Sequence, residues 1–302
     1  MKAYLKAMRP GRWPRSLAVF VGSAAFFLLH KDISSGLDWP SILLRGAVIF
    51  FLTWGISTAN YIINEIVDAP FDIHHPVKKN RPLIRGEIKK MPFLIMGAVL
   101  ILASLSIAFL FFNRPFSFSL SALLIAGFIY NLPPVRTKDI PFLDSVSESA
   151  NNPIRFLIGW YAFASAGEFP PLSLLICWWA FGNFLMVSKR LSEFRMLKDK
   201  AGDYRSSLKK YSTSSLVTGM ILSSLIFFLT YFIFAVHFKI QSFIYLSPLL
   251  LAYLGLFFRK TLQKKEVLDE PEQLMRKPSF AIITLALLIV YFAAFLFDAI
   301  GK

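Results

Sequence analysis

One cysteine in 302 residues, Cys177, excludes a disulfide framework and a cysteine-based zinc site. Charge is scarce too. Asp, Glu, Lys and Arg make up 17% of the chain, against about 25% in a typical soluble domain. Acidic residues are the scarcer sign, 18 against 33 Lys and Arg, which leaves a net charge of +15. Several familiar motifs are absent: the phosphate-binding loop GxxxxGK[ST], the zinc-protease HExxH and the hydrolase GxSxG. No nucleophile–base pair stands out, so the chemistry, if any, runs without an activated side-chain nucleophile.

What fills the chain is apolar. Hydrophobic residues reach 56%, aromatics 16% with 32 Phe, and the mean hydropathy is +0.57. Such a chain has lipid for most of its solvent. In a soluble protein a charge of +15 would point to nucleic acid. Here it reads as loop charge at an anionic membrane surface, and no nucleic-acid partner is expected.

Nine apolar stretches are legible, at 17–29, 42–63, 91–112, 116–132, 142–164, 171–188, 214–236, 242–258 and 279–298. Most approach the ~20 residues that cross about 30 Å of hydrocarbon. Open sheets cannot satisfy their backbone in lipid, and the runs are too long for barrel strands, so the expected fold is all-α. The first stretch lacks a small-residue cleavage site before His30-Lys31-Asp32 and reads as an uncleaved span.

Nine spans place the termini on opposite sides, and the loops then sort by charge. The N-terminal segment and the even-numbered loops hold 27 of the 33 Lys and Arg. The odd-numbered loops and the C-terminus hold four, Lys31, Arg114, Lys239 and Lys302, while Arg45 and Arg155 fall within spans. The positive-inside rule then puts the N-terminus and the long loops 64–90 and 189–213 in the cytoplasm and the C-terminus outside. Long polar loops on one face of a bundle are where chemistry would sit.

Three polar constellations stand out. Asn64, Asp68 and Asp72 are spaced i, i+4, i+8, one stripe of a helix. Two carboxylates and an amide oxygen suit Mg²⁺, which keeps waters and substrate phosphates for its other positions. Pro70 is expected to end or kink that helix near Ala69, which would put Asp72 on the following turn. The segment continues through His74, His75, Lys78, Lys79, Arg81 and Arg85, cations suited to the outer oxygens of a metal-bound diphosphate. The two histidines read as backbone-bonded loop residues more readily than as ligands.

The second constellation holds Tyr130, Arg136, Lys138, Asp144, Glu148, Asn151 and Arg155. On one continuous helix the last four would fall within about 60° of each other. Ionisable groups inside a span face the bundle interior and are functional candidates, or else form a structural ion pair between helices. The third is Lys189-Arg190-x2-Glu193 with Arg205, a basic cluster fit for phosphate or for snorkelling at the interface.

Together these residues resemble a known family. Asn64-x3-Asp68-x3-Asp72, followed by His75-Pro76-x-Lys78-x2-Arg81-Pro82-x3-Gly86, looks like the first signature of the UbiA superfamily of intramembrane prenyltransferases. Arg9-Pro10-x2-Trp13-x-Arg15 is similar to that family's opening motif. The resemblance covers nearly the whole chain and implies a single domain over 1–302, a nine-transmembrane-helix bundle in the cell inner membrane with a polar cytoplasmic cap. Two departures are Glu65, where relatives often have Asp, and Pro70.

Aromatic prenyltransferases of the superfamily carry a second acidic motif in the later loop. Here Lys189, Arg190, Glu193 and Arg205 stand there, with Asp144-x10-Arg155 upstream, a pattern that resembles the polyprenyl-phosphate phosphoribosyltransferase branch. That resemblance implies Mg²⁺-dependent transfer of 5-phosphoribose from 5-phosphoribosyl 1-diphosphate to a polyprenyl phosphate. Asn64, Asp68 and Asp72 would hold the metal. Asp68, Asp72, Asp144, Lys189 and Arg190 would be catalytic, and Lys78, Arg81, Arg85, Tyr130, Lys138, Glu148, Arg155, Glu193 and Arg205 would bind substrate. Two other readings stay open: prenyl transfer to an aromatic or other small acceptor, for which Asp199 and Asp203 at i, i+4 would supply carboxylates, and a non-catalytic transporter.

Overall fold

The computed structural model describes residues 2–30, 38–73, 78–197, 205–263 and 278–300. Among them there are helices and no strands. In chain order the α-helices are α1 (Lys2–Ala7), α2 (Val19–Leu29), α3 (Trp39–Asp72), α4 (Lys90–Phe111), α5 (Arg114–Asn131) and α6 (Leu143–Ser149). They continue with α7 (Asn151–Tyr161), α8 (Leu172–Leu197), α9 (Thr213–His237), α10 (Gln241–Gln263) and α11 (Pro278–Ile300). A 3-10 segment, Pro10–Ala18, leads into α2.

Six helices are long and apolar enough to cross a membrane: Trp39–Pro70, Lys90–Phe111, Leu172–Arg195, Thr213–His237, Gln241–Leu262 and Pro278–Phe295. The protein is an integral membrane protein. The other three apolar stretches fall on shorter or more polar helices. The first is the 11-residue α2 behind its 3-10 turn. The fourth is the 18-residue α5, made more polar by Ser117, Ser119 and Ser121, whose hydroxyls donate to carbonyls four residues back. The fifth is interrupted at Ala150, between α6 and α7.

The chain forms two compact units, one of residues 1–138 and 150–170 and another of residues 139–149 and 171–302. In the first, α3 packs on α4 and α5, and α2 packs on α7. Ile49, Leu52, Ile56, Ala59 and Ile62 are the buried apolar side of α3. Small residues decide how closely its neighbours approach. A Cβ at Gly159 would fall 1.7 Å from the Val19 carbonyl oxygen, and one at Gly22 2.0 Å from that of Phe156. The Ser23 hydroxyl closes this contact by donating to the Gly159 carbonyl at 2.9 Å. Asn113 caps α5 by accepting from the Phe116 N–H, and its amide donates to the carbonyls of Tyr161 and Ala164 where α7 ends.

In the second unit α8 and α9 pack side by side, with α10 and α11 behind. Its core holds Phe184, Val187, Leu191, Met220, Phe257 and Phe280. A reciprocal cap between Ser212 and Ser215 starts α9.

Two helix ends differ from expectation. α3 runs through Pro70 to Asp72, so Asn64, Asp68 and Asp72 share one helix after all. Proline removes one intrahelical hydrogen bond, and so close to the C-terminus only one further turn depends on the remainder. α8 likewise runs past its apolar stretch to Leu197. Both long polar loops therefore begin later than hydropathy suggests, and their first charged residues sit on helix ends.

Candidate functional site

The first cluster is built on the polar end of α3. Lys138, in the 3-10 turn Thr137–Asp139, directs its ammonium at 2.5 Å to Asp68 Oδ1, 3.1 Å to Asn64 Oδ1 and 3.2 Å to Asn131 Oδ1. Arg136 Nη2 reaches the same Asp68 oxygen at 3.2 Å. One turn further, Asp72 pairs with Arg81. Each carboxylate of the acidic stripe therefore already faces a cation.

Beside this stripe Glu65, almost wholly buried, accepts at 3.0 Å from Arg9 Nη2. Arg9 holds a left-handed backbone, φ 54° and ψ 57°, at the start of the 3-10 segment. Burial, with Arg81 and Arg12 nearby and opposed by Glu65, lowers its pKa to about 10, so the guanidinium stays charged at neutral pH. Arg12 lies over the Tyr61 ring, 5.2 Å from its centroid.

The other sequence-selected residues of this unit are less central. Arg85 pairs with Glu87 at 3.3 Å in an exposed turn closed by Gly86 at φ 71°. Tyr130 is half-buried at the end of α5. His74, His75 and the side chain of Lys78 lie outside the described residues, as do Asp199 and Asp203.

The second cluster centres on Arg190, a guanidinium with no access to solvent. Its Nε donates to Asp144 Oδ2 at 2.8 Å, Nη1 to Glu193 Oε2 at 2.8 Å and Nη2 to Glu148 Oε2 at 3.0 Å. Asp144 Oδ2 also accepts from Ser207 Oγ at 3.2 Å and Arg205 Nη1 at 3.4 Å. Its Oδ1 accepts from the Tyr211 hydroxyl at 2.6 Å, and Tyr211 in turn accepts the Phe142 N–H at 2.5 Å. Burial and the Asp144 carboxylate raise the Tyr211 pKa, so this hydroxyl holds its proton. Lys189 is half-buried on the same turn as Arg190.

Asp144 and Glu148 thus belong to one constellation with Arg190, Glu193 and Arg205. Asn151 and Arg155 lie on α7. The helix is interrupted at Ala150, and these two residues belong to the first unit. Arg190, selected for phosphate, has all three guanidinium nitrogens directed at carboxylates. Glu65, Arg9, Asn131, Ser207 and Tyr211 were not selected as site residues. Of these, Arg9 carries a signal in the Arg-Pro-x2-Trp motif and Glu65 one in its place beside Asn64 in the family signature.

Among the described residues no group of three or more His, Cys, Asp or Glu side chains is placed to hold a metal ion. Three oxygens do converge, Asn64 Oδ1, Asp68 Oδ1 and Asn131 Oδ1, and a cation already stands among them in the Lys138 ammonium. An all-oxygen donor set this small fits Mg²⁺ that brings waters and phosphate oxygens with it, not an ion caged by protein alone.

The match to the UbiA prenyltransferase family model runs over residues 18–282. The chain belongs to the UbiA prenyltransferase family. It is therefore a transferase. UbiA-family relatives include the decaprenyl-phosphate phosphoribosyltransferase of Mycolicibacterium smegmatis, 25% identical over 216 residues, 70% of this chain. The chain spans 63% of that relative's length. The lycopene elongase/hydratase of Corynebacterium glutamicum is 25% identical over 231 residues, 76% of this chain and 75% of the relative. A solved structure of a UbiA homolog from Archaeoglobus fulgidus bound to GPP and Mg²⁺ superposes with a TM-score of 0.68 over 97% of this chain and 99% of that one, at 18% identity. That likeness establishes the fold as UbiA-like.

Proposed function

We propose that this UbiA-family transferase moves 5-phosphoribose from 5-phosphoribosyl 1-diphosphate to a polyprenyl phosphate, with Mg²⁺ as cofactor. The observation that carries the reading is the first cluster, in which Asp68 and Asp72 are each already faced by cations, Lys138, Arg136 and Arg81. A free carboxylate pair would suit a metal alone. Carboxylates with matched cations suit a metal and a diphosphate together, because the cations can turn from carboxylate to phosphate oxygen as the pair binds.

Asn64, Asp68 and Asp72 would hold the ion. When bound, it would draw negative charge off the departing diphosphate. The bond from ribose C1 to the diphosphate oxygen breaks as a bond from C1 to a lipid phosphate oxygen forms. Positive charge builds at C1 in between, and Lys138, Arg136 and Arg81 hold the departing charge in place, a preorganised electrostatic effect. The acceptor is already an anion, so no side chain has to remove a proton, in keeping with the missing nucleophile–base pair.

In the second unit Lys189 and Arg205 are the proposed phosphate contacts. Arg190 becomes a positioning residue that fixes Asp144, Glu148 and Glu193. Lys78, Arg85, Tyr130 and Arg155 are secondary substrate contacts in this reading. Both polar helix ends face the cytoplasm and the C-terminus lies outside. The phosphoribosyl relatives support this donor, and Arg190's hold on the carboxylates of the second unit leaves none of those three an unopposed metal ligand. Prenyl transfer is the second reading, favoured by the longer aligned share of the lycopene elongase/hydratase.

The test is a substrate matrix with purified protein: labelled phosphoribosyl diphosphate or prenyl diphosphate, each with a polyprenyl phosphate or an apolar acceptor. Phosphoribosyl lipid should form only with Mg²⁺, and Asp68→Asn and Asp72→Asn should abolish it while the protein stays folded. Consumption of prenyl diphosphate alone selects the second reading, and turnover that survives EDTA removes the metal.

A further inference from the structure

Many helical serine and threonine hydroxyls in this protein bond within their own helix. Ser119, Ser121, Ser223, Thr230, Thr261 and Thr284 each donate to the carbonyl four residues back. Two on α3 do not. Thr53 Oγ1 and Ser57 Oγ are buried and have no hydrogen-bond partner among the described residues, and neither does the buried Oδ1 of Asn60. Thr53 has no exposed surface and Ser57 6%. Asn60 is held by its other end, Nδ2 donating to the Leu123 carbonyl of α5 at 3.0 Å. Its amide fills space that only a glycine leaves, since a Cβ at Gly127 would fall 2.2 Å from Asn60 Cγ.

Positions 53, 57 and 60 follow one another at i, i+4 and i+7, so the three oxygens line one stripe of α3. A buried polar atom without a partner costs about 1–3 kcal/mol, and such atoms in native proteins are met by ordered water when the site is polar and has room. The stripe is too long for a single ion: residues 53 to 60 rise about 10 Å along the axis. Neighbouring side chains three or four apart are about 5–6 Å apart, which is the reach of one water bonded to both. One turn further on the same stripe is Asn64, and then Asp68.

We propose that Thr53, Ser57 and Asn60 form a binding seam for a short file of water molecules inside the first unit, one bridging Thr53 to Ser57 and one bridging Ser57 to Asn60. The file is continuous with the Asn64–Asp68 cluster, and it hydrates that cluster from the membrane side of α3. This inference does not depend on which group the protein transfers.

The test uses the full chain in detergent or nanodiscs. Thr53→Val and Ser57→Ala keep shape while removing one oxygen each. If the seam is hydrated, each lowers the unfolding midpoint, and the double variant loses less than the sum because both singles forfeit the same bridging water. If the seam is dry, removing an unsatisfied hydroxyl leaves the midpoint unchanged or raises it, and the proposal is overturned. Should a variant fail to fold, a map of the unaltered protein that resolves ordered water decides. Density within hydrogen-bond distance of both Ser57 Oγ and Asn60 Oδ1 is expected, and a seam without density overturns the proposal.

Discussion

Arg190 and Asp144 meet without either reaching solvent: 2.8 Å separates Nε from Oδ2, and both side chains are at most 1% exposed. In so dry a place the pair survives because every remaining polar atom is used. Glu148 and Glu193 take the other guanidinium nitrogens, and Tyr211, Ser207 and Arg205 take the other sites on Asp144. Removing one partner from a buried ion pair typically costs about 3–5 kcal/mol, because the other is left charged and dry. Arg190→Ala should therefore be among the most destabilising single changes in the second unit, lowering the thermal midpoint sharply. Lys at this position carries the charge without the planar fork and should restore only part of it.

Lys138 stands between Asn64 Oδ1 and Asp68 Oδ1, two of the oxygens proposed to hold a metal ion. Lys138→Met should lower kcat/KM by one to two orders of magnitude, on the basis of about 1.5–3 kcal/mol for a lost charge-assisted bond. The Mg²⁺ concentration for half-maximal rate should fall at the same time, because the ammonium no longer competes for Asp68. A titration of rate against Mg²⁺ in both proteins separates the two effects.

Tyr211 gives a pH signature. Its folded pKa lies above the ordinary value of 10. The raised pKa means that its contribution to stability is complete below pH 10 and is lost as pH rises toward the folded value. The unaltered protein should therefore lose more stability than Tyr211→Phe above pH 10. At neutral pH the Phe variant should be weaker by about 1–3 kcal/mol, having left the Phe142 N–H and Asp144 Oδ1 short of a partner. Denaturation midpoints for both proteins at a series of pH values check this.

Gly159→Ala sets two magnitudes against each other. Alanine gains about 1 kcal/mol over glycine in a helix interior. Its Cβ would, however, sit 1.7 Å from a backbone oxygen, which cannot swing aside as a side chain would. Overpacking of about 1–3 kcal/mol or more should win, and the midpoint should fall. Gly167→Ala, with open space around its Cβ, is the control.

Topology is checked with single cysteines introduced at Lys2 and Lys302 in a Cys177→Ala background. An impermeant thiol reagent added to intact cells should label position 302 and leave position 2 unlabelled until the membrane is opened. Labelling of both from one side would remove an odd number of spans.

Local features were legible in the sequence. All nine apolar stretches lie on helices, and the i, i+4, i+8 stripe of Asn64, Asp68 and Asp72 is one helical face. Pro70 was misleading because a rule about helix interiors carries less weight at a last turn. The partners of Arg190 were hidden for another reason. Asp144 lies 46 residues before it, and no local pattern distinguishes an arginine that will bind phosphate from one that will hold three carboxylates. Ala150 was likewise silent. Alanine is the best helix former; the sign of the division is Pro153, which has no N–H for the Ser149 carbonyl where α6 ends. Tyr211 and Asn131 become site residues only through contacts made by folding.

The close contact around Gly22 and Gly159 also bears on the order in which the protein is made. The eleven residues of α2 are too few to cross the hydrocarbon by themselves, and the backbone they rest on belongs to α7. Gly159, which accepts the Ser23 hydroxyl bond, leaves the ribosome 136 residues after Ser23. The first apolar segment to emerge thus finds its seat only when α7 follows, and it waits at the membrane through the synthesis of three longer helices.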